Sequence, residues 1–317
     1  MRAECFGLRK MLFRIKIIIK FLLFKFGFSD RVDLPSSDKN IEVCKRSILF
    51  VVFSYNRALQ LDALLRSFET MNVGSSENFS VKVVYRADAH HFKSYEELKS
   101  QYPTCMFIRH ANKSDFRICL LRQLDEANED RVCFLVDDII FKNTFDIEAL
   151  LKVDLRQYIL SLRHGTHLSY SYMSEKQQPL PDFQKVDDFL SWKWQTSFYD
   201  WAYLLSLDGH VLDLKVIKFL FQSFDFDSPS SLEAKLQKYI FSFSKIRGLC
   251  FTDSVLFNIP DNLVQSTFLA NKNMFGDAEK NLQLWQQGKR IDVERFIRIK
   301  NKSVHEPMGF CFKIGCG

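Results

Sequence analysis

The sequence predicts an α/β protein built on a doubly wound, mostly parallel sheet, and three observations carry that expectation. Apolar runs of strand length recur through the first half of the chain, stretches with helical period separate them, and residues with chemistry to offer stand just after the runs. At 317 residues and 47% apolar content the chain can bury one large core, and its composition is that of an ordinary folded protein.

The first element is a basic segment. Between Met11 and Phe28 no apolar run exceeds four residues, because Arg14, Lys16, Lys20 and Lys25 interrupt it, which excludes a transmembrane helix and a cleavable signal peptide. On a helix, Met11, Leu12, Ile15, Ile18, Ile19, Leu22, Leu23 and Phe26 form one stripe, with every Lys and Arg on the other side. Residues 9–28 therefore read as an amphipathic helix lying on an anionic membrane surface, or as one packing its stripe on the body. A polar linker to Asp38 follows, so the chain divides into 1–38 and a single body, 39–317.

The body opens with the strand Ser47 to Phe53 and a helix carrying Leu59, Leu61, Leu64, Leu65 and Phe68. Val81 to Tyr85 is a strand, Tyr95 to Gln101 a helix and Cys105 to Ile108 a strand; Ser114 to Asn128 is a helix with Ile118, Leu121 and Leu124 inward, and Val132 to Val136 is a strand. Alternation of this kind makes a Rossmann-like sheet with its chemistry at the carboxyl ends. Beyond Asp138 the pattern loosens. Tyr158 to Arg163 reads as a strand, Leu168 to Lys193 as irregular and Trp194 to Leu207 as one or two strands; helices run from the Ser230/Ser231-Leu-Glu233 start to Ser242 and from Met274 to Gln287. The carboxyl-terminal part is thus an irregular extension of the first half.

Charge and cysteines narrow the function classes. The whole formal charge of +6 comes from the first 28 residues, seven basic groups against Glu4, so the body is neutral and offers no nucleic-acid surface. Cys5, Cys44, Cys105, Cys119, Cys133, Cys250, Cys311 and Cys316 are scattered without a Cys-x-x-Cys, which suits a reducing compartment and no structural zinc. The expected location is cytoplasmic, peripheral on the membrane.

The strongest chemical signal is Phe134-Leu135-Val136-Asp137-Asp138, two carboxylates at the mouth of an apolar strand. Like charges released there are costly to desolvate, and a hard cation, Mg²⁺ or Mn²⁺, offsets that cost while keeping positions open for phosphate oxygens. A solvated strand end or helix cap is the plain alternative.

Ser54-Tyr55-Asn56-Arg57 after the first strand, the Leu-rich helix and then Phe-Leu-Val-Asp-Asp resemble the donor-binding half of GT-A glycosyltransferases, especially family 2, over residues 47–145. The resemblance implies a nucleotide-sugar donor and a glycan, lipid-linked or protein acceptor, with 39–145 binding the donor and 146–317 facing the acceptor. It also implies that Ser54, Tyr55, Asn56 and Arg57 meet the nucleotide, where amides at a helix start and a cationic Arg suit an anion. Asp88 is nearest to the family's acidic residue after the second strand. Val136-Asp137-Asp138 matches the Asp-x-Asp motif with its first carboxylate replaced by valine, so Asp138 corresponds to the metal ligand, and Asp137 to a metal or ribose contact. His305, in Val304-His305-Glu306-Pro307, is similar to a carboxyl-terminal metal ligand of the family.

For a catalytic base the segment from Trp192 to His210 offers two carboxylates, Asp208 in Ser-Leu-Asp-Gly-His and Asp200; if Asp208 only caps a helix, Asp200 is the better candidate. Arg163, ahead of Lys113, Arg117 and Arg122, is placed to neutralise a diphosphate; Asp253 and the Pro260 to Gln265 turn are further candidates. Two other readings stand beside this one. A nucleotidyltransferase would carry a Gly-rich phosphate loop after the first strand, and no glycine follows until Gly74. A nucleotide-sugar-binding protein without turnover is motivated by Val136, whereas a membrane scaffold would leave the Asp pair unexplained.

Overall fold

A computed structural model describes residues 46–260 and 278–315. The amphipathic segment 9–28, its linker, the Asp261 to Gln265 part of the turn and the residues before Ala278 in the helix expected from Met274 lie outside the described residues. Among the described residues, no helix is long and apolar enough to cross a membrane, and the cysteines are free thiols.

The strand β1 (Ile48–Tyr55) is buried along its length except at Tyr55. A run apolar on both faces belongs inside a parallel sheet covered on both sides. It lies between β2 (Phe79–Arg86) and β4 (Arg131–Val136), parallel to each, and β3 (Met106–Arg109) extends the sheet beyond β2. The crossovers carry α1 (Ala58–Met71), α2 (Phe92–Gln101) and α3 (Lys113–Asp125). Alternation along β1 divides the core: Ile48, Phe50 and Val52 pack with α1 and α2, whereas Leu49, Val51 and Phe53 pack with Phe116, Leu120 and Leu124 of α3. Leu61, Leu64, Leu65 and Phe68 form the inner stripe of α1, and the Phe68 ring meets Phe50 edge-on at 5.0 Å.

Past β4, the short β5 (Ile139–Phe141) and the helix α4 (Ile147–Lys152) lead to β6 (Tyr158–Ser161). A two-residue hairpin, β7 (Tyr170–Ser171) with β8 (Lys176–Gln177), precedes β9 (Gln184–Val186) and β10 (Phe189–Trp192). Then come β11 (His210–Asp213), α5 (Leu214–Gln222), α6 (Pro229–Leu236) and β12 (Arg247–Cys250). The main sheet has nine strands in the order β3-β2-β1-β4-β11-β6-β12-β10-β9. Only β11 and β10 run against the rest, so the sheet is mostly parallel and spans both halves of the chain. Outside it, β13 (Leu256–Asn258) pairs with β5, and after α7 (Ala278–Gln286) a last ladder joins β14 (Lys289–Ile291) to β15 (Phe312–Ile314).

Four local expectations are corrected. In α3 the buried stripe is Phe116, Leu120 and Leu124, and Ile118, two residues off that stripe, is 61% exposed. The segment 194–207 holds two 3₁₀ turns, Trp194–Thr196 and Tyr199–Ala202, where strands were expected; their backbone serves buried indoles, with Trp192 Nε1 donating to the Trp201 carbonyl at 2.9 Å. Part of the supposedly irregular stretch before it, β9 and β10, belongs to the main sheet. The helix α6 begins one turn earlier than its serines suggested, because Ser228 is the cap and Pro229 the first helical residue.

Candidate active site

The carboxyl ends of β1 and β4 are stitched together by Asp137. Its Oδ1 accepts from Arg57 Nη1 at 3.0 Å, and its Oδ2 accepts from Ser54 Oγ at 2.8 Å and from the Tyr55 N–H at 3.2 Å. Ser54 also meets the buried Tyr95 hydroxyl at 2.5 Å, which accepts the Arg57 N–H at 3.1 Å. Asp137 is therefore engaged through both oxygens, which explains how a carboxylate is tolerated at 4% exposure. Asp138 faces the cleft. Its Oδ1 accepts from Asn258 Nδ2 at 2.9 Å, and Oδ2 lies 3.9 Å from Arg57 Nη1. Burial pushes its pKa up to about 7; the Asp137 and Asp208 charges add to the rise, while Arg57 and Asn258 oppose it.

A second strand brings the opposing group. Because β11 runs against β4 and β6, its entering turn arrives at the edge where those two strands end. Gly209 makes that turn at φ +75, donating to the Phe134 carbonyl at 2.7 Å and accepting from the Leu162 N–H at 2.8 Å. Asp208, just before it, is no helix cap: Asp213 caps α5. Its Oδ2 accepts from Arg163 Nη1 at 2.9 Å. Burial raises the Asp208 pKa against the pull of Arg163. Arg163 also donates to Ser206 Oγ at 2.9 Å and to His305 Nδ1 at 3.3 Å. His305 is neutral, its pKa pressed well down by burial and by Arg163, and its Nε2 lies 3.9 Å from Asp208 Oδ2. Since Arg163 supplies the proton at Nδ1, the His305 proton is assigned to Nε2.

Other expected residues have different partners. Asn56, held at φ +55, donates to Asp88 Oδ2 at 2.7 Å and accepts from the Asp88 N–H at 3.1 Å, so the two brace the loop after β1. Asp200 accepts from Ser171 Oγ at 3.0 Å and Gln178 Nε2 at 3.3 Å, tying the β7–β8 hairpin to the 3₁₀ turns; burial pushes its pKa up to about 6. Arg117 bonds the Phe224 and Gln222 carbonyls, and Asp253 pairs with Lys300 at 2.6 Å. Lys113 and Arg122 are on α3 with Arg117.

Asp137, Asp138 and His305 do not form a three-ligand metal cage, and no such group of His, Cys, Asp or Glu occurs among the described residues. Asp138 alone still suits Mg²⁺ or Mn²⁺ when a ligand's phosphate oxygens and water complete the shell, since a carboxylate pressed by two like charges gains from a cation.

No family model matches the chain, and no curated protein matches it. Solved structures of Staphylococcus aureus TarS do resemble it. One TarS structure is 16% identical with a TM-score of 0.42, covering 66% of this chain and 36% of that one. TarS 1–349 in complex with UDP is 15% identical with a TM-score of 0.44, covering 66% and 59%, and the complex with UDP-GlcNAc is 14% identical with the same TM-score, covering 66% and 57%. The chain thus spans between 36% and 59% of the length of these TarS chains.

Sequence reasoning missed two members of the cluster. Glu233 read as part of a helix start, yet its Oε1 accepts from Ser206 Oγ at 3.0 Å and from the Leu207 N–H at 3.1 Å, beneath the turn that carries Asp208. Burial, then the Asp208 charge, pushes its pKa up to about 7. The Ser-Leu-Glu spacing hid this, because a helix start and a buried carboxylate use the same residues. Asn258, the partner of Asp138, follows an apolar strand and gives no signal of its own.

Proposed function

We propose that this protein is a glycosyltransferase that takes a sugar from a nucleotide-sugar donor, with Asp208 as its catalytic base. The observation that carries the reading is the convergence of Asp138 and Asp208, from adjacent antiparallel strands, with Arg57 and Arg163 beside them. Donor binding falls to the carboxyl ends of β1 and β4, where Arg57 attracts the diphosphate and Asp138 faces it. A Mn²⁺ or Mg²⁺ held by Asp138 would neutralise charge on the departing diphosphate. Asp208 accepts the proton of the acceptor hydroxyl as that oxygen bonds to the anomeric carbon; the bond to the diphosphate oxygen breaks with its electron pair, and configuration inverts. Arg163 and Ser206 orient Asp208, and Arg163 keeps it ionised against the effect of burial. Asp200 is left as a brace. The basic segment 9–28 holds the body at an anionic membrane, facing a glycan, lipid-linked or protein acceptor.

A second reading, nucleotide-sugar binding without turnover, draws on the Arg163–Asp208 pair, since a guanidinium at 2.9 Å weakens a base. The test is calorimetric titration of the full chain with UDP, GDP, CDP and dTDP, each with Mn²⁺ or EDTA, followed by assay of sugar release. Metal-dependent binding that disappears in Asp138→Ala, with sugar released from the matching donor, supports transfer. Binding without release supports the second reading, and no binding to any of the four defeats both.

A further inference from the structure

We infer that Arg86, stacked on Tyr55, selects the donor's nucleobase by admitting bases that present a carbonyl oxygen and excluding adenine. This deepens the donor-site reading and rests on it.

Tyr55 and Arg86 end two neighbouring strands and face each other in register, so both stand at the ligand edge of the sheet, one strand from Asp137. The Arg86 guanidinium carbon lies 3.9 Å from the centre of the Tyr55 ring, which holds this cation in place without using its N–H groups. Both side chains are half-buried. Asp88, the acid nearest in sequence, has no oxygen to spare. Its Oδ1 takes the N–H groups of His90 and His91 and meets the His91 ring, and its Oδ2 takes Asn56.

The neighbouring strand end reinforces this character. Arg109 lies over the Phe92 ring at 4.6 Å and donates to the Ala87 carbonyl at 3.3 Å. His110 has its pKa lowered by burial and by Arg86, so it carries no charge that would repel a cation. The edge where an acidic residue is expected therefore presents a guanidinium. A guanidinium only donates hydrogen bonds. Guanine offers it O6 and N7, cytosine O2 and N3, and uracil and thymine their carbonyl oxygens, whereas adenine sets an amino donor beside each exposed ring acceptor on the edges a fork can reach.

The experiment titrates the full chain, in Mn²⁺, with UDP, GDP, CDP, dTDP, ADP and inorganic pyrophosphate. One carbonyl-bearing diphosphate should bind roughly 10- to 100-fold more tightly than ADP. Arg86→Ala should abolish that difference and leave pyrophosphate binding unchanged, which also shows that the variant is folded. Arg86→Lys, keeping the charge without the fork, should lose the same discrimination. Equal binding of ADP by the unaltered protein, or an unchanged preference in Arg86→Ala, overturns the inference. So does loss of pyrophosphate binding in both variants, which would assign Arg86 to the phosphates. If the unaltered protein binds no diphosphate, the donor-site reading itself fails, and this inference falls with it.

Discussion

Arg163 donates from one nitrogen to both Asp208 Oδ2 and Ser206 Oγ, each at 2.9 Å, so a single guanidinium holds the two ends of the turn that presents the acid. That pairing gives Asp208 a fixed direction, and burial gives it a pKa above the ordinary carboxylate range.

Asp208→Asn should lower kcat by about 10²- to 10⁴-fold while leaving nucleotide affinity within a factor of about two, as expected for a lost general base. In the unaltered protein the working form is the ionised one. Activity should therefore fall as pH drops through the raised pKa, on an acid limb lying above that of an exposed aspartate. A profile of kcat/KM against pH reads both, and a limb at the ordinary position would count against Asp208.

Asp138 keeps its proton up to about pH 7 in the fold, but only to about pH 4 in the unfolded chain. Between those values the native state binds the extra proton, so stability falls as pH rises. Asp138→Asn should remove that decline and raise Tm at pH 8 by about 2–4 °C, while abolishing metal-dependent nucleotide binding. Thermal melts at pH 5 and pH 8 test the first claim, and a variant that melts lower at pH 8 contradicts it.

Lys142 is fully buried, and its Nζ donates to the Ile299 carbonyl at 2.9 Å. Burial lowers its pKa to about 8, whereas an unfolded lysine holds its proton to about 10.4. In that window the unfolded state binds the extra proton, so stability should climb with pH. Lys142→Met should gain about 1–3 kcal/mol at neutral pH and flatten the climb, as measured by urea unfolding across the range.

Gly248 in β12 lies opposite Trp192 in β10, and a Cβ there would stand 2.3 Å from Trp192 Cζ2. The indole is itself fully buried, so Gly248→Ala should cost about 3 kcal/mol. At Gly288, with φ +73 and nothing within 4 Å of an added Cβ, the same change should cost about 1 kcal/mol from backbone strain alone. Denaturant midpoints of the two variants should differ accordingly.

The first half of the fold was legible because each element there carries its own period: a two-sided apolar run for β1, and spacing of three and four for α1. Leu160 and Val211 show why the second half was harder. Their strands are four residues each, too short for a period to declare itself, and they are placed by pairing with strands distant in sequence. At the site, Asp137, Asp138, Arg57, Arg163, Asp208 and His305 could be named from order and spacing, but their partners could not. Whether a carboxylate is open to a ligand, as Asp138 is, or engaged through both oxygens, as Asp88 and Asp137 are, depends on hydrogen bonds from other elements. Nor did the sequence distinguish Asp208 from Asp200; Ser171 and Gln178 do so by holding Asp200.

The reversed direction of β11 also sets an order of assembly. The strands β3, β2, β1 and β4 are joined by contacts local in sequence and can pair before the rest of the chain is in place, carrying Asp137 and Asp138 with them. Asp208 reaches those carboxylates only when β11 inserts between β4 and β6, closing a loop of more than 70 residues. A nascent or half-folded chain would thus hold the acidic pair without the group proposed to remove the acceptor's proton, and would gain catalytic competence only when the two parts of the sheet join.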